Sequence, residues 1–233
     1  MSNKENKQIA IVIPVYNEGA VVKDVIEDLK LKRPNDMIIC VNDGSDDDSL
    51  EVLESINGIY VVPHDVNLGQ GAALQTGIAM ARKLKAKYVV TFDSDGQHSP
   101  EDIEKFYQLM KEKDLDIVMG SRFLQGSSSN VSAIKKYFLK LSTIFTYIMS
   151  GIKLTDSHNG LRIIDIEKNP EFELRSNGMS HASEVIDLVK LLDMKYAEKE
   201  CTIVYTDYSK TKGQSMWNSV HIVIEIFIQR LTK

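Results

Sequence analysis

Five short apolar runs, at 9–15, 37–42, 59–63, 88–93 and 116–121, alternate with amphipathic stretches at about 18–31, 46–56, 70–85 and 100–113. A strand buried on both faces reads as a nearly continuous apolar run, and parallel strands need a helix-length crossover between them. The alternation therefore predicts an α/β fold, a mostly parallel sheet sandwiched by helices. The helix at 100–113 opens on a strong start signal, with Ser99 as cap, Pro100 in the first turn and Glu101 and Asp102 at the positive end. With 233 residues, 43% hydrophobic and 26% charged, the chain is long enough for a sizeable core and too apolar for disorder. One domain over 1–233 is expected.

Beyond about residue 122 the alternation stops at a Gly/Ser-rich loop, 124–130. From 131 to 150 the residues Ile134, Tyr137, Phe138, Leu141, Ile144, Phe145 and Ile148 recur at helical spacing, with Lys135, Lys136 and Lys140 beside them. A helix near 181–193, a strand near 200–206 and an amphipathic helix at about 215–231 complete the pattern. In that last helix Asn218, His221, Glu225 and Gln229 form a narrow polar stripe, and Trp217 with many aliphatic residues covers the rest.

A formal charge of -5 argues against a nucleic-acid binder. The two cysteines, Cys40 and Cys201, are expected to be reduced, and the polar start leads directly into a strand, so a cytoplasmic protein is expected. No run approaches the roughly 20 apolar residues that span a bilayer. Membrane contact is thus expected to be peripheral, through the lysine-flanked helix and the terminal one.

In a parallel sheet, ligands sit beyond the carboxyl ends of the strands. Polar clusters collect there: Pro14-Val15-Tyr16-Asn17-Glu18, Asn42-Asp43-Gly44-Ser45 and Asp93-Ser94-Asp95-Gly96-Gln97. Each alone has turn-forming composition, but three strand ends carrying them together point to a site. Asp93-x-Asp95 is the strongest element, since alternate residues of an extended chain share a face and two carboxylates grip one hard cation. Magnesium or manganese suits these oxygen donors and would neutralise charge on a diphosphate leaving group. His98, His158 and His181 lack zinc-ligand spacing.

These motifs resemble the inverting glycosyltransferases of family 2, of GT-A fold, from about residue 9 to about 215. The likeness is greatest to the branch that makes polyprenyl-phosphate sugars, such as dolichol-phosphate mannose synthase and undecaprenyl-phosphate glucosyltransferase. It implies a nucleotide-sugar-binding half at about 8–122 and an acceptor half at about 123–215. It also implies that Pro14, Tyr16 and Glu18 line the nucleoside pocket, that Asp43 bonds the base, and that Asn67 to Gly71 pack under the nucleotide. Asp93, Asp95 and Gln97 match the metal shell, and Arg122 of Gly120-Ser121-Arg122 matches an arginine near a substrate phosphate.

Asp156-x-x-Asn159-Gly160-Leu161-Arg162 resembles the family's D-x-x-[ST]-G-F-R, with Asn and Leu as departures. Lys210-x-x-Gly213-x-Ser215 resembles R-x-x-G-x-S, which closes over the diphosphate; lysine keeps the charge but not bidentate binding. Glu184 matches an acidic position below the acceptor site. The Q-x-x-R-W motif of processive polysaccharide synthases is absent from the sequence. Implied partners are a UDP- or GDP-sugar donor, a polyprenyl-phosphate acceptor and a small membrane protein, while the oligomeric state stays open. A lipid phosphate needs no strong base, so Arg122, Arg162 and Lys210 would supply charge. A sugar-hydroxyl acceptor would instead need Asp156 or Glu184 as base. Rival readings are a nucleotidyltransferase, which usually carries a Gly-rich basic loop after the first strand, and a non-catalytic nucleotide-sugar-binding subunit.

Overall fold

The computed structural model describes residues 8–125, 127–129, 143–144, 146–148 and 150–203. Lys210, the terminal helix and most of the helix expected at 131–150 lie outside them. The described order is β1 (Ile9–Val15), α1 (Gly19–Lys32), β2 (Met37–Asp43), α2 (Ser49–Glu54), β3 (Tyr60–His64), α3 (Gln70–Lys83), β4 (Tyr88–Thr91), α4 (Glu101–Glu112) and β5 (Ile117–Ser121). There follow β6 (Ser128–Ser129), β7 (Arg162–Asp165), α5 (His181–Leu191), β8 (Tyr196–Glu200) and β9 (Thr202–Ile203). The expected α/β architecture is thus observed.

Seven strands form the main sheet in the order β3-β2-β1-β4-β7-β5-β8, and β6 pairs with β9 in a small second sheet. All neighbours in the main sheet run parallel except β7, which is antiparallel to both β4 and β5. Residues alternate between the two faces, as a pleated strand requires. Ile9, Ile11, Ile13, Ile38, Cys40, Val90 and Phe92 pack with Val22, Ile26, Leu29, Ile103 and Phe106 of α1 and α4. Ala10, Val12, Ile39, Val41 and Val89 face Ala73, Leu74, Ile78, Val185 and Val189 of α3 and α5. Both cysteines are buried and free.

Three elements differ from the sequence expectation. β7 has four residues and follows a motif loop, so no helix-length crossover announced it. The strand expected at 200–206 is instead β8 with β9 beyond it; β8, Tyr-Ala-Glu-Lys-Glu, is a half-buried polar strand at the sheet edge, where a charged composition is usual. Residues 46–48 do not open α2; their side chains and backbone brace the neighbouring loop.

Strand order reverses between β1 and β4, since β2 and β3 extend one side of β1 and β4 starts the other. β4 stops pairing at Thr91 opposite Val12, whereas β1 continues to Val15 beside β2. Val12 accepts from Phe92 on the β4 side, and in a strand Pro14 points the same way. Proline, which has no N–H to donate, therefore sits where that ladder has ended. The strands part there into a crevice.

Candidate active site

At the crevice, the β1–α1 and β2–α2 loops are stitched together. Ser45 Oγ accepts from the Asn17 amide at 3.0 Å and Ser49 Oγ from the Glu18 amide at 2.8 Å. Asp47 accepts from the Gly19 amide at 3.1 Å, and Asn17 Oδ1 accepts from the Asp46 amide at 2.8 Å. Asn17 holds a positive φ of 54°, a conformation asparagine tolerates better than most residues. The result is one rigid wall carrying Glu18 and the exposed ring of Tyr16.

Asp43 follows Val41 onto the α3 face. Its Oδ1 accepts from the Leu68 amide (3.0 Å) and lies 2.8 Å from His64 Nδ1, and its Oδ2 accepts from the Gly69 amide at 2.7 Å. The carboxylate thus holds the loop that opens α3, and Asn67 is exposed at its edge. Gly71 has a packing reason to be glycine, because a Cβ would meet Ser176 O at 1.9 Å. Its amide and that of Ala72 donate to Asn177 O at 2.7 and 3.2 Å. Glu184 reaches this loop from α5, accepting from the Arg175 and Ser176 amides at 2.9 and 2.8 Å.

Asp93 lies just past β4. Gln70 Nε2 donates to its Oδ1 at 3.1 Å, and His98 Nε2 stands 3.0 Å from Oδ2. Burial pushes this carboxyl upward, but the hydrogen bond and charge of His98, with Arg162 and His181 beyond, hold it below the usual range. Asp95 behaves oppositely. Burial first and then the neighbouring Asp93 charge push it up to about 6. Gln97 donates to it twice, from the backbone at 3.0 Å and from Nε2 at 2.7 Å.

This donor set fits a hard cation. Like charges crowd together, and a divalent ion would relieve the penalty that raises Asp95. Among the described residues no group of three or more His, Cys, Asp or Glu side chains is arranged to hold a metal by itself. Magnesium-type ions are commonly held by one or two carboxylates with substrate phosphates completing the shell, so that is the expected pattern here.

Opposite stand the residues after β5 and before β7. Arg122 and Asp156 form a two-pronged ion pair, with Nε donating to Oδ2 at 2.6 Å and an η nitrogen to Oδ1 at 2.7 Å. Burial alone would raise the Asp156 carboxyl, yet the Arg122 bonds and charge keep it low. Glu198 of β8 anchors the loop beneath, accepting from the amides of Thr155 (2.7 Å) and Asp156 (2.9 Å). Asn159, the departure from Ser or Thr, turns the chain by accepting from the Leu161 amide at 2.9 Å and donates to Cys201 Sγ at 3.1 Å.

Arg162 begins β7 and is 3% exposed. Among the described residues its guanidinium makes no hydrogen bond or ion pair; the charges of Asp93 and Asp156 act on it from farther away, and burial lowers it to about 10. None of its nitrogens is both sealed from solvent and unpartnered, so the group keeps some contact with solvent.

The structure thus gathers Asp43, Asp93, Asp95, Gln97, Arg122, Asp156 and Arg162 around the crevice, and places Glu184 behind it as a loop anchor. Sequence reasoning missed Glu198 and the Asn177 carbonyl that caps α3. Glu198 lies in a polar strand with no motif, and a backbone acceptor leaves no mark in residue type.

Residues 10–169 match the model of Glycosyl transferase family 2. An uncharacterised protein of Methanocaldococcus jannaschii is 33% identical over 98% of this chain and 95% of its own. The UDP-N-acetylglucosamine–dolichyl-phosphate N-acetylglucosaminyltransferase of Methanococcus voltae is 29% identical over 98% of both chains. Among solved structures, Mycobacterium tuberculosis glucosyl-3-phosphoglycerate synthase with Mn2+, UDP and phosphoglyceric acid superposes at a TM-score of 0.74, with 17% identity over 98% of this chain and 79% of that one. The strand order, the crevice at the β1/β4 switch and these matches together make the chain a member of glycosyl transferase family 2, built on the GT-A fold.

Proposed function

We propose that this glycosyltransferase moves a sugar from a UDP-sugar to a polyprenyl phosphate, with inversion and with a divalent ion. The observation that carries the reading is Arg162, a buried guanidinium that has no hydrogen-bond or ion-pair partner among the described residues and feels the charges of Asp93 and Asp156. Such a group calls for an anion. The Methanococcus voltae relative, alike over nearly its whole length, is named for a UDP-sugar donor and a dolichyl-phosphate acceptor.

Asp95, Asp93 and the Gln97 amide oxygen would hold the metal, which supplies charge neutralisation for the departing diphosphate. Asp43 would set the nucleoside end through the loop it ties to α3. Arg162 would receive the acceptor phosphate, and Asp156 would hold Arg122 beside it. Neither proposed carboxylate base is at liberty, because Asp156 faces Arg122 and Glu184 faces loop amides. This favours an acceptor that is already anionic over a sugar hydroxyl.

The single domain would lie at the cytoplasmic face of a membrane. Ile144, Tyr147 and Ile148 are all at least half exposed and share one helix face, which suits an interface. Among the described residues no helix is long and apolar enough to cross a bilayer. The test is transfer of radiolabelled sugar from UDP- and GDP-sugars to undecaprenyl and dolichyl phosphate, with Mn2+ or EDTA. Label in the lipid phase that EDTA abolishes is the expected result. Transfer to soluble sugars alone would overturn the acceptor assignment.

A further inference from the structure

His181 is the first residue of α5, and 4% of it is exposed. Its ring lies 2.9 Å from a carbonyl, Nδ1 to Gly178 O. A carbonyl only accepts, so Nδ1 carries the proton and Nε2 of the neutral ring is left with a lone pair. Among the described residues Nε2 has no hydrogen-bond partner, and it is not among the unpartnered atoms sealed from solvent. Burial and the Arg162 charge lower the ring to about 4, so it is neutral at physiological pH.

Two observations place this residue at the crevice: the charges of Arg162 and Asp93 act on its ring, and its Cβ packs at the start of α3. A Cβ on Gly71 would lie 2.9 Å from the Cβ of His181, and the adjacent Gln70 donates to Asp93. Gly160, two residues before Arg162, packs on the same Asp93 carboxylate. His181 therefore belongs to the ring of residues that encloses Asp93 and Arg162.

We infer that His181 Nε2 accepts a hydrogen bond from a hydroxyl of the sugar being transferred. The inference rests on the donor reading of the crevice. A phosphate dianion has no proton to offer and would be repelled by the lone pair, and a metal-held diphosphate has none either. The sugar attached to that diphosphate carries several hydroxyls, each a donor. The nucleoside carries donors too, but in the donor reading its ribose and base lie at the Tyr16 and Asp43 end of the crevice, so His181 is a specificity-determining contact to the sugar.

Calorimetric titrations of the whole chain in Mn2+ with UDP and UDP-N-acetylglucosamine, and in parallel with GDP and GDP-mannose, test this. H181F keeps the ring volume without the acceptor, and H181Q keeps an acceptor near the Nε2 position. H181F should weaken the nucleotide-sugar roughly 3- to 10-fold, the worth of one hydrogen bond, and leave the nucleoside diphosphate unchanged. H181Q should fall between H181F and the parent. Should H181F melt below the assay temperature, H181A serves in the same titrations. Equal loss for sugar-bearing and sugar-free nucleotides, no loss for either, or H181Q no better than H181F would overturn the assignment. A parental protein that binds no nucleotide-sugar would overturn the donor reading itself, and this inference with it.

Discussion

Gly160 lies against the carboxylate of Asp93, so closely that a Cβ at Gly160 would come within 2.2 Å of Asp93 Oδ2. The β-carbon of any other residue would push Asp93 away from Gln70 and His98. Gly160→Ala is therefore expected to leave the sheet folded and reduce turnover by about 100-fold, the scale of loss from an ångström of misplacement. Circular dichroism and initial rates measured side by side check both halves of this expectation.

The Arg122–Asp156 pair is largely withdrawn from solvent: Asp156 is buried, and the Arg122 side chain is 10% exposed. Removing one partner strands the other charge, so Asp156→Ala should cost about 3–5 kcal/mol of stability. Replacing both with apolar residues of similar volume, Arg122→Met with Asp156→Leu, should recover most of that stability without restoring transfer. Urea melts of the three proteins, paired with activity, separate the two effects. Recovery of transfer in the double variant would argue against any role for Arg122 at the substrate.

Asp95 sets a pH window. Its carboxyl is raised to about 6, and a proton must leave before the group can hold a cation. Metal-supported nucleotide affinity should therefore climb with pH through about 6 and level off above it. The sign for stability is opposite in the metal-free protein: the folded state holds this proton more tightly than the unfolded chain, so stability from this group falls as pH rises toward 6. Asp95→Asn should flatten both dependences. Isothermal titration with Mn2+ and nucleotide between pH 5 and 8 measures the first, and thermal melts in EDTA the second.

Asp43→Ala should free the Leu68 and Gly69 amides and loosen the start of α3. Each of these hydrogen bonds to a carboxylate is worth up to about 1.5–3 kcal/mol, less where water reaches the freed amide. Nucleotide affinity should drop with that loop, while Asp43→Asn, which keeps one acceptor oxygen, should lose less of both. A protein whose affinity is untouched by either change would limit Asp43 to holding the loop.

Of the first five strands, β1, β2, β4 and β5 were legible because each is buried throughout and so reads as an apolar run, while the half-exposed edge strand β3 was legible from its Tyr-Val-Val run; the strand ends were legible because the crevice collects polar residues that a core cannot keep. Asp93 and Asp95 stood out on that ground. Other roles were closed to sequence reasoning because they depend on partners distant along the chain. Asp156 reads as a base in isolation and becomes an ion-pair partner only once Arg122 is folded against it. Glu184 reads as a helix glutamate until the amides of Arg175 and Ser176 meet it. Gly71 looked like a ligand-loop glycine, and its constraint turns out to be the Ser176 carbonyl.

Strand β7 lies between β4 and β5, yet it comes after both in the chain. During synthesis, β4 and β5 have no strand to share until residues 162–165 arrive, and each waits with an open edge prone to wrong pairing. The residue that leads β7 into that gap is Arg162. Filling of the gap between β4 and β5 and arrival of the crevice's buried cation are consequently one event, so a chain released before this point carries Asp93 and Asp95 but no counter-charge from Arg162. The chain gains that counter-charge at the moment the facing edges of β4 and β5 are covered.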